Sequence, residues 1–154
     1  MKPLDEFARE FGAHLSLETS LIVENKNRYF LLNQKLKRLV GTEDFFYAGT
    51  YLGKTKNGQF FPSFILLKIV AEKNVNKMFV DVKTAWLFIC GRDIFKKGIV
   101  KVEGSKRKGA YTLVLNQYGE CLGFGKILHD LDEEKGRVVV KNILDIGDFL
   151  RREK

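Results

Sequence analysis

Residues that commonly build metal, redox and nucleophile sites are scarce in this chain. Its 154 residues include two histidines and two cysteines, Cys90 and Cys121. Neither cysteine has a second cysteine two or three residues away, which excludes a zinc knuckle or a redox dithiol in the local sequence. His129, Asp130 and Asp132 could form a metal or acid–base site, but a short polar loop of this kind is more commonly only solvated. We therefore expect no metal and no cofactor, and we expect Cys90, at the end of an apolar block, to be buried.

Long hydrophobic runs are also absent. The longest apolar stretches, 64–67 and 85–90, are far shorter than the roughly 20 residues that a membrane-spanning helix needs. The first ten residues carry charges where a secretory signal would have its apolar segment. These features predict a cytoplasmic protein with no membrane partner.

Familiar catalytic motifs are missing too. The sequence has no nucleophile elbow, no phosphate-binding P-loop and no dinucleotide fingerprint. The glycine-rich stretch 119–125 does not lead into a helical pattern, so it predicts a strand with a close backbone approach. Asp81 and Asp93 are the nearest candidates for the carboxylate of an RNA-modifying enzyme. Because no convergent set of reactive groups accompanies them, we expect no enzymatic activity.

What the chain has in excess is positive charge. It contains 27 Lys and Arg against 19 Asp and Glu, which gives a net charge of +8 and favours an anionic partner. The excess is concentrated in residues 92–108, which hold seven basic and two acidic residues, whereas residues 130–134 hold four acids. A focused cation patch of this kind favours a specific polyanion-binding surface over a merely solvated one.

The first half of the chain mixes helical and extended patterns. Apolar spacing predicts a first helix over about 4–15, a hairpin turn at 25–27 and a second turn at 56–58. A short basic helix is predicted at 34–40, with Leu36, Leu39 and Val40 facing inward and Gly41 ending it. Pro62 is expected to begin another helix, and the polar residues 73–77 are predicted to be a linker.

The second half is dominated by strands. Five are predicted, at 79–82, 99–102, 111–115, 121–128 and 137–142, with an apolar helix at 84–90 between the first two. Five short strands with regular turns predict a small barrel, which leaves few open sheet edges. The fold class is therefore α+β. It comprises an N-terminal α/β domain with a mainly antiparallel sheet, residues 1–77, and a C-terminal β pseudobarrel, residues 78–154.

Cations interleaved with aromatic rings in the second half point to RNA. Cations bind phosphates and flat rings stack on bases, and Phe95 stands directly before two lysines. The aromatic groups at 45–47 and 60–61 have no basic neighbours close by in sequence, so we expect core positions or a protein-binding patch there. Arg137 and Lys141 are four residues apart on one predicted strand and should face the same side. The predicted RNA-binding residues are Arg92, Phe95, Lys96, Lys97, Lys101, Arg137 and Lys141.

The order of elements resembles a known family. The helix before Gly91, the pair Lys97-Gly98, the strand with LGFG at 122–125 and the late basic strand resemble a PUA domain. The stretches GTYLGK at 49–54 and DIGDFLRR at 145–152 extend the resemblance to the two-domain family of 60S ribosome biogenesis factors, in its archaeal form. The resemblance implies an N-terminal α/β domain, an RNA-binding C-terminal PUA domain and no catalysis.

The resulting hypothesis is an RNA-binding ribosome biogenesis factor. It would bind ribosomal or precursor RNA through the PUA domain during large-subunit assembly, and its N-terminal domain could dock protein assembly factors. Two alternatives remain open. The chain could be an accessory RNA-binding subunit of an RNA-modification system, either for pseudouridylation or for transfer RNA. It could instead be an assembly module that binds mainly protein.

Overall fold

The computed structural model describes residues 2–41, 44–133 and 137–152. Within these residues, helices are interspersed among the strands along the sequence. The helices are α1 (Lys2–Glu10), α2 (Gln34–Val40), α3 (Phe64–Ala71), α4 (Val82–Ile89) and α5 (Gly147–Arg152). The strands are β1 (Ile22–Asn25), β2 (Arg28–Leu31), β3 (Thr50–Lys56), β4 (Gln59–Pro62), β5 (Lys77–Val80), β6 (Ile94–Phe95), β7 (Ile99–Glu103), β8 (Tyr111–Leu115), β9 (Cys121–Ile127) and β10 (Val138–Asp145).

The first sheet is an antiparallel meander in the order β1-β2-β3-β4. Both predicted turns are confirmed, and each is a two-residue hairpin loop. Lys26 and Asn27 adopt φ of 50° and 64°, and Asn57 and Gly58 adopt 51° and 75°. Positive φ at both loop positions matches the twist of a hairpin, and Asn and Gly tolerate it best.

Two helices of the first half differ from the predictions, one in which side chains it buries and the other in where it begins. Helix α2 has the predicted bounds, but Leu39 is 68% exposed, so the expectation that it faces inward is wrong. Seven residues make only two turns, and of the three residues expected to face inward Leu36 and Val40 are half-buried. Pro62 closes β4, and Ser63 begins α3 by accepting a hydrogen bond from the Leu66 N–H. A serine hydroxyl satisfies an open N–H at a helix start, which proline cannot do.

The second sheet has the order β6-β10-β9-β8-β5-β7 and curls into a half-barrel. Its pairings are antiparallel except for β5 with β8, which run parallel. The interior is filled by apolar side chains from several strands, among them Met78, Val114, Ile127 and Val140. Strands β5, β7 and β8 follow the predicted positions closely, and β6 was not predicted, because two residues are too few to show an alternating pattern.

The predicted linker, residues 73–77, connects the two sheets and is packed between them as a joint. The N–H of Asn76 donates to the Phe11 carbonyl at 3.0 Å, and its own carbonyl accepts from Leu113 N–H at 3.0 Å. The Asn76 side chain donates to the Tyr111 carbonyl and accepts from the Ser105 N–H. One continuous core runs through the joint from α1 and α3 to β8 and β9. A polar segment can be fixed in this way when its polar atoms bond the backbone of both neighbours.

Helix α4 lies on the surface of the half-barrel. Phe88 is fully buried, whereas Val82 and Trp86 are 64% and 65% exposed and Cys90 is also exposed. The expectation of a buried Cys90 is therefore wrong. The block is apolar on all sides, but a helix resting on a sheet can bury only one stripe.

Candidate nucleic-acid interface

The predicted basic loop and the late basic strand lie side by side. Strand β6 pairs antiparallel with β10, with Phe95 opposite Val138 and Ile94 opposite Val140. The two regions are about 40 residues apart in sequence, and this strand pairing brings them together. We call the surface formed by residues 92–97 and 137–141 the basic edge.

Three members of the basic edge surround the end of β6. Phe95 is 46% exposed, so its ring is accessible to a stacking partner. Lys96 and Lys97 follow in a 3₁₀ turn that starts directly after it. The Lys96 ammonium donates to the Glu133 carbonyl at 3.1 Å, whereas Lys97 is exposed to solvent. Cations next to an accessible ring are the combination that binds single-stranded nucleic acid.

Arg137 and Lys141 are exposed at the two ends of the paired segment. Arg137 lies just before β10, and its Nη2 is 3.3 Å from His129 Nδ1. The register shifts between Val138 and Val140, and the side chains of both Val139 and Val140 are fully buried. Because this bulge interrupts the alternation of β10, a spacing of four residues no longer implies that Arg137 and Lys141 share a face.

Arg92 joins the basic edge through its backbone neighbours. Its carbonyl accepts a 3.4 Å hydrogen bond from the Asn142 side chain, and Asp93 accepts the Asn142 N–H at 2.8 Å. These bonds hold the exposed Arg92 next to the segment that carries Lys141. Six of the seven predicted residues therefore lie along one edge, and the seventh, Lys101, is placed differently.

Lys101 lies on β7, at the other side of the curled sheet. It shares a shallow groove of about 230 Å³ with Lys96 and Lys106, and Leu131 lines the same groove. The Lys101 ammonium is 3.0 Å from the Glu103 carboxylate and 5.5 Å from the centre of the Phe79 ring. The groove connects Lys101 to the basic edge, since Lys96 belongs to both.

The acidic loop, residues 130–133, lies against the cations of residues 92–108, although the two stretches are separate in sequence. Lys106 and Asp132 are 3.8 Å apart, and Asp130 accepts the N–H of Lys108 at 2.6 Å. Leu131, which is 6% exposed, anchors the loop by donating its N–H to the Lys106 carbonyl. The local excess of positive charge is therefore partly neutralised within the fold, and ligand binding must compete with these acids.

Two further lysines belong to the region, although the sequence reasoning did not select them. Lys106 lines the groove described above. Lys126 lies directly opposite Lys141 across β9 and β10, and its ammonium is 5.8 Å from the centre of the Tyr111 ring. In sequence Lys126 is only a cation two residues from Phe124, and its position opposite Lys141 depends on the pairing of β9 with β10.

The carboxylates considered for catalysis both cap backbone N–H groups. Asp81 begins α4 and accepts the Thr84 N–H at 2.7 Å, and this hydrogen bond keeps the pKa of Asp81 below its usual value. Asp93 accepts the Asn142 N–H. A general acid needs a raised pKa, and the Asp81 environment acts in the opposite direction.

No group of three or more metal-ligating side chains is assembled within residues 2–41, 44–133 and 137–152. In that part of the chain no helix is long and apolar enough to cross a membrane. A larger cavity of about 310 Å³ lies between α1 and both sheets, and the carboxylates of Glu6 and Glu10 are among its lining groups. Those acids make it unsuited to phosphate.

Comparison with known proteins identifies the family of the domain that contains the second sheet. The family described as UPF0113 PUA domain matches residues 76–154, just over half of the chain. The chain belongs to this family. The PUA-type domain expected from the sequence is thereby confirmed, and the basic edge and the groove both lie within it.

Relatives of similar length extend the likeness to the first sheet. A UPF0113 protein of Archaeoglobus fulgidus is 28% identical over 151 residues, covering 93% of this chain and 84% of the relative. A conserved PUA domain protein from Thermoplasma acidophilum has a similar fold, with a TM-score of 0.62, 21% identity and coverage of 97% and 90% of the two chains. A hypothetical protein from Pyrococcus horikoshii has a TM-score of 0.58, 17% identity and coverage of 96% and 92%. These structures have the same overall fold, with both sheets included.

Proposed function

We propose that this chain is a cytoplasmic, non-enzymatic RNA-binding factor that acts in assembly of the large ribosomal subunit. RNA would be held on the PUA domain, along the basic edge and the adjoining groove. The observation that carries the proposal is the β6–β10 pairing, which joins Phe95, Lys96 and Lys97 to Arg137 in one surface.

The chemistry of this surface suits a single-stranded or looped RNA. Exposed lysines and arginines supply the phosphate contacts from which most nucleic-acid affinity comes, and that affinity falls with salt. The accessible ring of Phe95 offers a stacking position beside them. An apolar protein partner would instead leave several cations desolvated and unpaired, which is unfavourable.

The ribosomal part of the proposal rests on the resemblance of the stretches at 49–54 and 145–152 to ribosome biogenesis factors. The absence of catalysis is proposed because Asp81 and Asp93 are already engaged by backbone N–H groups. In this proposal the N-terminal domain is available to dock protein assembly factors.

A binding titration with salt variation tests the RNA interface. If four to six phosphates are contacted, the plot of log affinity against log salt should have a slope of about −3 to −4 for single-stranded RNA. Combined replacement of Lys96, Lys97 and Arg137 by alanine should weaken binding and flatten the slope by about 2. Lys68→Ala, which removes an exposed lysine from α3, is the matched control. A slope near zero in the wild-type chain contradicts the proposal.

Crosslinking in an extract of the source cells tests the identity of the RNA. Recovery of large-subunit ribosomal RNA, lost in the triple variant, supports the assembly role. Recovery of transfer RNA alone would favour an accessory role in RNA modification. Recovery of protein partners with no enriched RNA would favour the protein-binding alternative.

A further inference from the structure

The first sheet has two faces, and they differ in chemistry. One face packs on the core through Tyr29, which is 5% exposed and lies near Thr55 on the next strand. The other face carries a row of directly paired residues, which the strand register gives as Asn25, Arg28, Lys54 and Phe61. Paired residues of an antiparallel ladder project from the same face. Arg28, Lys54 and Phe61 are therefore neighbours on the face opposite the core.

A loop that crosses this face presents two aromatic rings to solvent. The ring of the fully buried Phe30 anchors the loop, with ring-centre distances of 5.5 Å to Phe45 and 5.3 Å to Tyr47. Phe46 and Tyr47 remain 78% and 57% exposed. Phe45 is half-buried, and exposure of the next two rings leaves flat, accessible surfaces above the sheet.

A cation lies directly beside one of these rings. The Arg28 guanidinium carbon is 4.3 Å from the centre of the Phe46 ring, a stacking distance. The sequence has no basic residue close to positions 45–47, but the fold brings Arg28 against the Phe46 ring. Arg28 is 18 residues away from Phe46 along the chain, and only the placement of the loop over β2 brings them together.

The described residues of this face carry more positive than negative charge. Arg28 and Lys54 lie directly opposite each other, and like charges in such pairs destabilise a sheet unless an anion is near. Lys56, two residues along β3, projects from the same face. The neighbouring acid, Asp44, is 3.7 Å from Lys26 and also accepts from the Asn25 side chain. The Asp44 carboxylate is thus directed to the Lys26 side of the hairpin.

We propose that this sheet face is a second RNA-binding surface, distinct from the PUA domain and specific for single strands. Bases would stack on Phe46 and Tyr47, and phosphates would lie against Arg28, Lys54 and Lys56. A duplex would keep its bases from the rings, whereas a single strand exposes them. A protein partner is disfavoured, because an apolar contact over the rings would desolvate the adjacent cations.

The test uses the full chain and a fluorescently labelled oligouridine of about 12 nucleotides, a length within the usual site sizes of single-strand binders. The ring variant carries Phe46→Ala and Tyr47→Ala, and its aromatic control is Tyr118→Ala, which removes a ring that is 77% exposed on the β8–β9 hairpin. The charge variant is Lys54→Gln, and its control is Lys68→Gln on α3. Thermal denaturation of each variant verifies folding.

We expect the ring variant to weaken binding at least about fivefold and the control Tyr118→Ala to leave it unchanged. Lys54→Gln should weaken binding and reduce the salt slope by about 0.7, the value for one phosphate contact to a single strand. Photocrosslinking of the oligonucleotide should label the peptide that contains Tyr47. Unchanged binding in both variants overturns the proposal, and so does unchanged RNA binding accompanied by loss of a co-purifying protein.

The same experiment in the PUA triple variant separates the two sites. Binding that is lost only on replacing Lys96, Lys97 and Arg137 leaves the PUA proposal standing and overturns the second surface. Residual binding that still crosslinks at Tyr47 supports the second surface even if the PUA proposal fails.

Discussion

Asp145 and Arg151 form an ion pair that fastens the last helix to the half-barrel. The Arg151 Nη2 atom donates to both Asp145 carboxylate oxygens, at 3.0 and 2.9 Å, and Nη1 donates to the Ile89 carbonyl at 2.9 Å. Asp145 is 3% exposed and also accepts from the Asn142 side chain. Gly147 lies between them, where a Cβ would come within 1.9 Å of the Ile89 carbonyl oxygen. Part of the recognisable DIGDFLRR motif is therefore structural.

Removing the cation of this pair should destabilise the fold. In Arg151→Ala the buried Asp145 carboxylate loses a charged partner, and we expect a loss of about 1.5–3 kcal/mol in the free energy of unfolding. The measurement is the urea midpoint, with Arg38→Ala on the exposed side of α2 as the control. Equal midpoints for the two variants would show that the pair contributes nothing.

Local chemistry made much of the fold predictable. The hairpin turns at 26–27 and 57–58 follow from Asn27, Asn57 and Gly58, which tolerate positive φ, although Lys26 adopts it as well. Strand β8 and helix α2 likewise have the bounds that periodicity indicated. Features that depend on distant contacts were missed. Cys90, at the end of α4, is exposed because it lies on the side that faces away from the half-barrel. Asn76 is packed because its side chain donates to the carbonyl of Tyr111, which is 35 residues away in sequence.

The candidate sites show the same division. Phe95, Lys96 and Lys97 were selected because cations and a ring adjoin in sequence, and the β6–β10 pairing places Arg137 beside them. The stacking of Arg28 on Phe46 could not be found in this way, since the two residues meet only through the path of a loop. Proximity in sequence identifies residues that are adjacent along the chain, whereas a folded surface also contains residues that only tertiary structure brings together.

The acidic loop should limit RNA affinity. Asp132 lies 3.8 Å from Lys106 in the groove, so a phosphate must displace it to reach that lysine. We predict that Asp132→Asn strengthens RNA binding about two- to threefold at low salt, in keeping with the small energy of an exposed pair. The gain should shrink at high salt because the interaction is screened.

Affinity titrations at two salt concentrations provide the measurement. Glu72→Gln, which removes an exposed acid at the end of α3, is the charge-matched control. The prediction fails if Asp132→Asn weakens binding or if both variants strengthen it equally.

Two glycines in the β8–β9 region should respond very differently to alanine. A Cβ at Gly123 would come within 1.9 Å of the Leu144 carbonyl oxygen, across the β9–β10 pairing, and its φ is 145°. Gly119 has φ of 77° with open space around it. We expect Gly123→Ala to lose several kcal/mol or to fail to fold, because backbone must move. Gly119→Ala should cost about 1 kcal/mol from conformation alone. Comparable thermal midpoints for the two variants would contradict the close approach.

Burial of Cys121 should make stability fall at high pH. Desolvation raises the pKa of Cys121 from 9.0 to about 11. Above pH 9 the thiol of the unfolded chain loses its proton while the folded chain retains it, so the unfolded state binds fewer protons and stability decreases as pH rises. The contribution is complete below pH 9 and is lost on approaching pH 11, and it amounts to at most about 2–3 kcal/mol.

The free energy of unfolding should be measured from pH 7 to 11 for the wild type and for Cys121→Ala. The difference between the two free energies of unfolding should be constant below pH 9 and change steadily above it. Taking this difference cancels the titration of the groups that both proteins share. A Cys90→Ala background leaves Cys121 as the one cysteine of the chain, and its reaction with a thiol reagent should be slow until the pH nears 11. Rapid labelling at pH 8 in that background, without loss of structure, would show that the thiol is not held in its neutral form.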